Sequence, residues 1–369
     1  MEPEPTHSVM DRILNKKHAL SNLTDAEFEA MLPELAAELE SHGVLRESYS
    51  FAEIQKDWAL LLKKDATINA MTISATEVAG MKVMRKHMQH FHAVRNYKGK
   101  SVESLWTQVC LEKALRFNRA QHSTPYASEI IRSLSFANGL GKVTMYRPMM
   151  AKKVVSYLAA KDGLMDVRVL DVCAGWGGRM IGAKSVELSP DSKCKVHYTG
   201  IDPCQKTYGS LRAICDELGL HNVALIHKPA EVAIKDLALS SATYDIALTS
   251  PPYYNLEIYS DEPTQSIATK DGYQTWLNEF LNPVIAGVIR LGVKYSCWSV
   301  KNFKTDKKYD LLDDVIRIHG EHGWRLLDDV VFTMANSRRP GQKVQSHDSH
   351  ELFVPKKTEE CTYVFVRAT

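Results

Sequence analysis

Ser250-Pro251-Pro252-Tyr253 is the tetrapeptide best equipped for chemistry, and it follows an apolar run, Tyr244-Asp245-Ile246-Ala247-Leu248, that reads as a buried strand. Proline has no amide proton and a fixed φ, so neither Pro251 nor Pro252 can extend a hydrogen-bonded ladder. The chain must leave the sheet along a stiff, extended path, with the Ser250 hydroxyl and the neighbouring carbonyls facing outward as acceptors. Fixed acceptors beside an aromatic ring can grip a planar amino group by its hydrogens while Tyr253 stacks on the plane that carries it.

A second motif lies upstream. An expected strand, 167–172, runs into Asp171-Val172-Cys173-Ala174-Gly175-Trp176-Gly177-Gly178-Arg179, and an apolar segment then opens a helix. Glycines here permit a tight turn and let backbone N–H groups approach a ligand that Cβ atoms would exclude. The Gly-x-x-x-x-Gly-Lys-Ser/Thr pattern of a phosphate loop is missing, which argues against a nucleoside triphosphate. Roughly 30 residues on, a second strand, 196–201, ends in Gly200-Ile201-Asp202-Pro203, where this class of sheet bonds a ribose diol. A lone glycine turn is as often a packing device as a cradle. Three such features at strand ends sharing one carboxyl edge favour the ligand. Trp176 fits either over that ligand or wedged against the sheet.

The elements that must position these motifs alternate from residue 154 onward. Strands are expected at 167–172, 196–201, 223–226, 244–248 and 295–300, with strand-like ends at 328–332 and 362–366. Helices are expected at 206–218, 273–289 and 309–319. That alternation implies an α/β fold, a parallel sheet covered by helices on both faces. Residues 23–119 read as helical: Asn22-Leu23-Thr24-Asp25 looks like a helix start, and Phe28, Met31, Leu32 and Leu35 recur at helical spacing. Runs at 54–62 and 78–91 continue the pattern, and 122–145, rich in Ser, Thr, Gly and Asn, reads as connecting loops. The expected division is a helical region, 1–120, and an α/β domain, 121–369.

Composition narrows the partners. A hydrophobic share of 44% and a charged share of 24% are those of an ordinary globular chain. A net charge of +2 leaves no global nucleic-acid footprint. The 82–119 stretch is locally basic, with Lys82, Arg85, Lys86, Arg95, Lys98, Lys100, Lys113, Arg116 and Arg119 against Glu103 and Glu112. It is either a phosphate clamp or a solvated helix face. The seven cysteines are scattered with no Cys-x-x-Cys pair, and His87, His90 and His92 lack companions at ligand spacing, so no metal is expected. No run approaches the roughly 20 apolar residues of a membrane span, and a cytoplasmic protein is expected.

Together these motifs resemble S-adenosylmethionine-dependent methyltransferases that modify the exocyclic amino group of adenine or cytosine in DNA. Ala174-Gly175-Trp176-Gly177 resembles that family's methionine-binding loop, Asp202 its ribose-binding acid, and Ser250-Pro251-Pro252-Tyr253 its catalytic motif. Tyr146-Arg147-Pro148 resembles the segment that caps the cofactor pocket, and 336–340 with 350–354 the closing strand region. The resemblance implies a Rossmann-like methyltransferase sheet, mostly parallel with an antiparallel terminal strand, and a helical N-terminal extension that contacts DNA. It implies S-adenosyl-L-methionine held by Tyr146, Arg147, Asp171, Cys173, Ala174, Gly175, Trp176, Gly177, Asp202, Pro203, Ala230 and Glu231. It further implies a double-stranded DNA partner whose flipped base stacks on Tyr253, near Tyr254 or Trp276. RNA, a protein amide, or a non-catalytic nucleic-acid-binding role are the competing readings. No histidine partners Cys173 or Cys204, which disfavours covalent attack on cytosine carbon.

Overall fold

The computed structural model describes residues 8–141, 143–190, 192–268, 271–335 and 356–369. Segments 336–340 and 350–354, singled out above, lie outside the described residues.

In chain order the strands are β1 (Thr72–Ser74), β2 (Arg95–Asn96), β3 (Asp166–Asp171), β4 (Lys195–Asp202), β5 (Val223–His227) and β6 (Ile246–Thr249). There follow β7 (Glu257–Ile258), β8 (Tyr295–Val300), β9 (Phe303–Lys304), β10 (Lys308–Tyr309), β11 (Trp324–Ala335) and β12 (Cys361–Arg367). Eight of them form one sheet in the order β1-β11-β12-β8-β6-β3-β4-β5. Neighbours from β8 to β5 run parallel, and β12 lies antiparallel between β8 and β11. This is the mostly parallel, Rossmann-like sheet with an antiparallel late strand that the alternation and the resemblance implied.

Side-chain alternation builds two apolar layers. Val167 and Val169 of β3 join Val196 and Tyr198 of β4 in one layer, and Leu170 joins Ile201 and Ala247 in the other. Helices Pro148–Lys161 and Gly178–Glu187 cover the first layer, and Asn282–Arg290 and Leu311–Glu321 the second.

The chain divides into two compact units, and the division does not follow a single cut near residue 120. One comprises 1–48, 89–144 and 257–260; the other comprises 49–88, 145–256 and 261–369. In the first, helices Asp25–His42, Gln108–Ala120 and Ala127–Ala137 pack Phe28, Leu32, Leu35, Leu111, Leu115, Ile130 and Leu134 together. A capping box of Thr24 and Glu27 starts the longest of them. The Ala127–Ala137 helix occupies a stretch expected to be loop; burial of Ile130 and Leu134 overrides its serine-rich composition.

Three further expectations are corrected. Residues 49–88, read as part of a helical extension, supply a strand to the sheet, β1, parallel to β11. The expected helix 273–289 is three pieces, with a wide π turn, Leu277–Leu281, between Tyr273–Trp276 and Asn282–Arg290. Pro283 stands just after that turn and cannot donate an amide to an α-helical bond, and a π turn takes up the break. Strand β11 is far longer than 328–332, with a register shift between Leu326 and Val331 that accommodates the exposed Asp328 and Asp329. Among the described residues no helix is long and apolar enough to cross a membrane.

Candidate active site

The glycine turn and the proline corner meet at one sheet edge. Strands β3 and β6 are adjacent and parallel, with Leu170 opposite Ala247, so Cys173 and Ser250 leave the sheet side by side. Asp171 joins the two ends. Its Oδ1 accepts from the Thr249 hydroxyl (3.0 Å) and the Cys173 amide (3.3 Å), while Oδ2 accepts from Arg179 Nε and from the Tyr198 hydroxyl, each at 2.7 Å. The Asp171–Arg179 ion pair is buried on both sides, and the guanidinium also donates to the Cys173 carbonyl. Burial works against the Arg179 charge, but Asp171 holds it protonated with its pKa above the usual value. Every acceptor site of Asp171 is committed, so this carboxylate holds the strand ends together and has none left for a ligand.

The turn itself needs its glycines. Gly175 and Gly177 have φ of 51° and 83°, and a Cβ on Gly178 would stand 2.0 Å from the Tyr146 carbonyl oxygen. Tyr146 thereby sits against the start of the Gly178–Glu187 helix, with the Arg179 guanidinium 5.1 Å over its ring. The glycines imply a turn that offers backbone N–H groups, but those of Cys173, Ala174, Gly175 and Gly177 already donate within the protein. What the turn supplies is close backbone approach rather than a row of amides. Trp176 is half-buried against the first apolar layer.

Asp202 ends β4 beside the turn, its Oδ2 accepting from the Gly175 amide and Oδ1 from the Cys204 amide, both at 2.9 Å. Each oxygen keeps a lone pair for a further donor, such as a ribose hydroxyl. Burial raises its pKa to about 6 against the pull of those two amides, with the Asp171 charge adding to the rise. The Pro203 carbonyl accepts from His227 Nε2 (3.0 Å) and the Thr264 hydroxyl (3.2 Å). Ala230 is buried in the second apolar layer at the start of Ala230–Leu239, and Glu231 follows in its first turn. The Arg147 side chain is directed to the carbonyls of Glu77 (2.5 Å) and Ala75 (3.2 Å), where it anchors the segment ahead of Lys82–His87.

At the corner, the Ser250 hydroxyl donates to the Ser299 carbonyl at 3.2 Å. Its proton is directed into the sheet, which leaves the oxygen lone pairs to accept from outside. Behind it a hydroxyl chain runs from Ser299 Oγ to Thr362 Oγ1 (2.6 Å) to the Tyr146 hydroxyl (3.0 Å). Burial raises the Tyr146 pKa to about 12, so this chain stays neutral. Pro251 is buried and Pro252 half-buried. Tyr253 is 7% exposed and stacks on Phe303 at 5.7 Å, and Phe303 stacks on Tyr309 at 4.9 Å. Tyr254 adopts a left-handed φ of 46° and packs against Tyr273, Trp276 and Tyr309. Trp276, expected near a stacked base, is wholly buried and donates to Ser266, which makes it core. Burial and the Asp171 charge push the Cys173 thiol far up, so it is no nucleophile.

The basic 82–119 run belongs to no single unit, and many of its charges have partners inside their own unit. Lys86 and His87 pair with Glu217, Arg116 with Glu29, and Arg119 with Asp25 and the carbonyls of Leu20 and Leu23. Sequence reasoning missed Thr249, Ser299, Thr362 and Tyr198, whose hydroxyls tie the site together. Arg179 carried a usable signal, since an arginine opening an apolar helix needs a buried acid.

No family model matches the chain, and no curated protein matches it. Solved structures that align with it include a SAM-dependent methyltransferase from Agrobacterium tumefaciens, at 13% identity and TM-score 0.37 over 59% of this chain and 62% of that one. Magnesium protoporphyrin IX methyltransferase of Synechocystis PCC 6803, solved with bound SAM, aligns at 14% identity and TM-score 0.35 over 62% and 87%. TrmN from Thermus thermophilus aligns at 16% identity and TM-score 0.36 over 60% and 48%. The chain spans less than two thirds of the Agrobacterium and Thermus proteins.

Proposed function

We propose that this chain is an S-adenosyl-L-methionine-dependent methyltransferase acting on the exocyclic amino group of a nucleobase, cytosine N4 or adenine N6, in DNA. One observation carries the reading: the Ser250 hydroxyl turns its lone pairs outward from a strand end immediately beside the Gly175 turn. When bound, the cofactor supplies an electrophilic methyl group on a sulfonium. The glycine turn fits it at Gly175, where a Cβ position meets no protein atom nearer than 3.7 Å, and Asp202 keeps acceptor capacity at the neighbouring strand end.

An aromatic amine is a poor nucleophile because its lone pair is delocalised into the ring. Ser250 Oγ and the Pro251 carbonyl would accept its two protons, favouring a pyramidal nitrogen and aiming the lone pair across the edge toward the turn. Positioning of this kind supplies up to roughly 7–11 kcal/mol in well-oriented systems. Ser250 is a neutral acceptor and no strong base, so the surplus proton leaves to solvent after transfer. In a duplex the target base must leave the stack to reach this corner. With one face of Tyr253 covered by Phe303 and only 7% of the residue exposed, little more than its edge meets the base.

The test is incubation with radiolabelled S-adenosyl-L-methionine and, separately, DNA, RNA and total protein, followed by digestion of the labelled product to nucleosides. Label in N4-methylcytosine or N6-methyladenine is the expected outcome. Label confined to RNA or to protein amides would overturn the DNA assignment, and label in no acceptor would overturn the enzyme.

A further inference from the structure

The β9–β10 hairpin carries chemistry that the methyl-transfer site does not use. Its two faces differ: Phe303 and Tyr309 are buried in the stack with Tyr253, while Lys304, Lys307 and Lys308 are exposed. Lys304 and Lys308 stand directly opposite one another in the antiparallel register, a placement that costs energy unless an anion neutralises it. None of these three lysines forms an ion pair with a described residue. The one acid between them, Asp306, accepts the hydroxyls of Thr305 (2.7 Å) and Tyr309 (3.1 Å) on Oδ1, which, with the Thr305 bond foremost, hold it ionised, and its single charge offsets one of the three lysines.

The hairpin is also fastened to the candidate acceptor corner. Phe303 stacks on Tyr253, Tyr309 packs on Tyr254, and the Thr305 hydroxyl oxygen, whose proton goes to Asp306, lies 3.2 Å from the Asn255 side-chain amide. Residues 253–255 thus fix the lysines relative to Ser250. Any acceptor held at Ser250 by a base inside a polynucleotide carries a phosphate on each side of its sugar, whereas a protein amide or a free base carries none. The exposed side presents ammonium groups, that of Lys307 lying 5.5 Å over the buried Tyr309 ring, which suits sequence-independent phosphate contact rather than base reading.

We propose that Lys304, Lys307 and Lys308 grip the phosphodiester backbone of the nucleic acid whose base enters beside Ser250, a role that rests on the amino-methyltransferase reading. DNA and RNA share this chemistry, and the experiment separates them. The full-length protein, K304Q/K307Q/K308Q and K304R/K307R/K308R are titrated by fluorescence anisotropy against duplex DNA, single-stranded DNA and RNA of one sequence over a range of salt. Cofactor binding is followed by calorimetry in parallel.

The glutamine triple is expected to lower the slope of log affinity against log salt by about 3, about one per lysine, and to weaken binding by about tenfold or more near 0.1 M salt. The arginine triple restores both, and cofactor affinity is unchanged throughout. If the glutamine triple keeps the wild-type slope on a nucleic acid that the wild type binds and methylates, the hairpin role falls while the enzyme reading stands. If the wild type binds cofactor yet no nucleic acid, both fall. Loss that the arginine triple does not restore also overturns the charge role, because it marks damage to the fold.

Discussion

The glycine turn and the proline corner sit at adjacent strand ends, yet they are held in opposite ways. The turn is fixed by charge: a buried aspartate and arginine, with hydroxyls and amides filling every position around Asp171. The corner is fixed by rings and by covalent stiffness: two prolines, the Tyr253–Phe303–Tyr309 stack, and a single hydrogen bond from Ser250. A cofactor cradle of close-packed backbone tolerates a saturated ionic hub beneath it. An acceptor site must keep lone pairs unspent, and apolar support achieves this because it makes no demand on them.

The largest expected effect separates the two supports directly. Asp171→Ala leaves the Arg179 guanidinium buried without its carboxylate and should cost about 3–5 kcal/mol in chemical denaturation. Ser250→Ala in the same experiment should change little, and equal losses would erase the contrast. Tyr253→Ala should cost about 3 kcal/mol through the emptied place beside Phe303, whereas Tyr253→Phe keeps the stack and should cost less than about 1 kcal/mol. Activity lost by the alanine variant therefore mixes folding with catalysis, and the phenylalanine variant is the informative one. Ser250→Ala should reduce kcat by roughly 100-fold while leaving the cofactor Kd unchanged, by analogy with removal of one preorganised polar partner. A shifted Kd would show that the corner also shapes the cradle.

The smallest effect is a pH dependence. With the Asp202 pKa raised to about 6, its carboxyl is protonated more readily in the folded chain than in the unfolded one. Its contribution to stability is therefore present below the ordinary carboxylate range and is lost as pH rises through about 6. A ribose diol donates to the ionised form, so cofactor affinity, read by calorimetry, should rise by about tenfold from pH 5 to pH 7. Asp202→Asn should flatten that profile, and a wild-type profile already flat would remove Asp202 from cofactor binding.

The sheet was legible because strands buried on both faces read as apolar runs, and 295–300 coincides with β8. Strand β1 was not, since Thr72–Ser74 has no length for a period to show and exists through its pairing with β11. The Ser250 corner was legible from the prolines alone. Its hydroxyl network was not, because Thr249, Ser299 and Thr362 are ordinary strand residues until three different strands bring them together. The charge run 82–119 left clamp and solvated face open for a related reason: charge in sequence says nothing about whether an acid far along the chain, such as Glu217, will meet it.

Strand β12 has a consequence for synthesis. Because it lies between β8 and β11, those two strands cannot bond to each other, and each keeps an open edge until residues 361–367 have been translated. Such edges invite mispairing with other chains until β12 fills the gap between them.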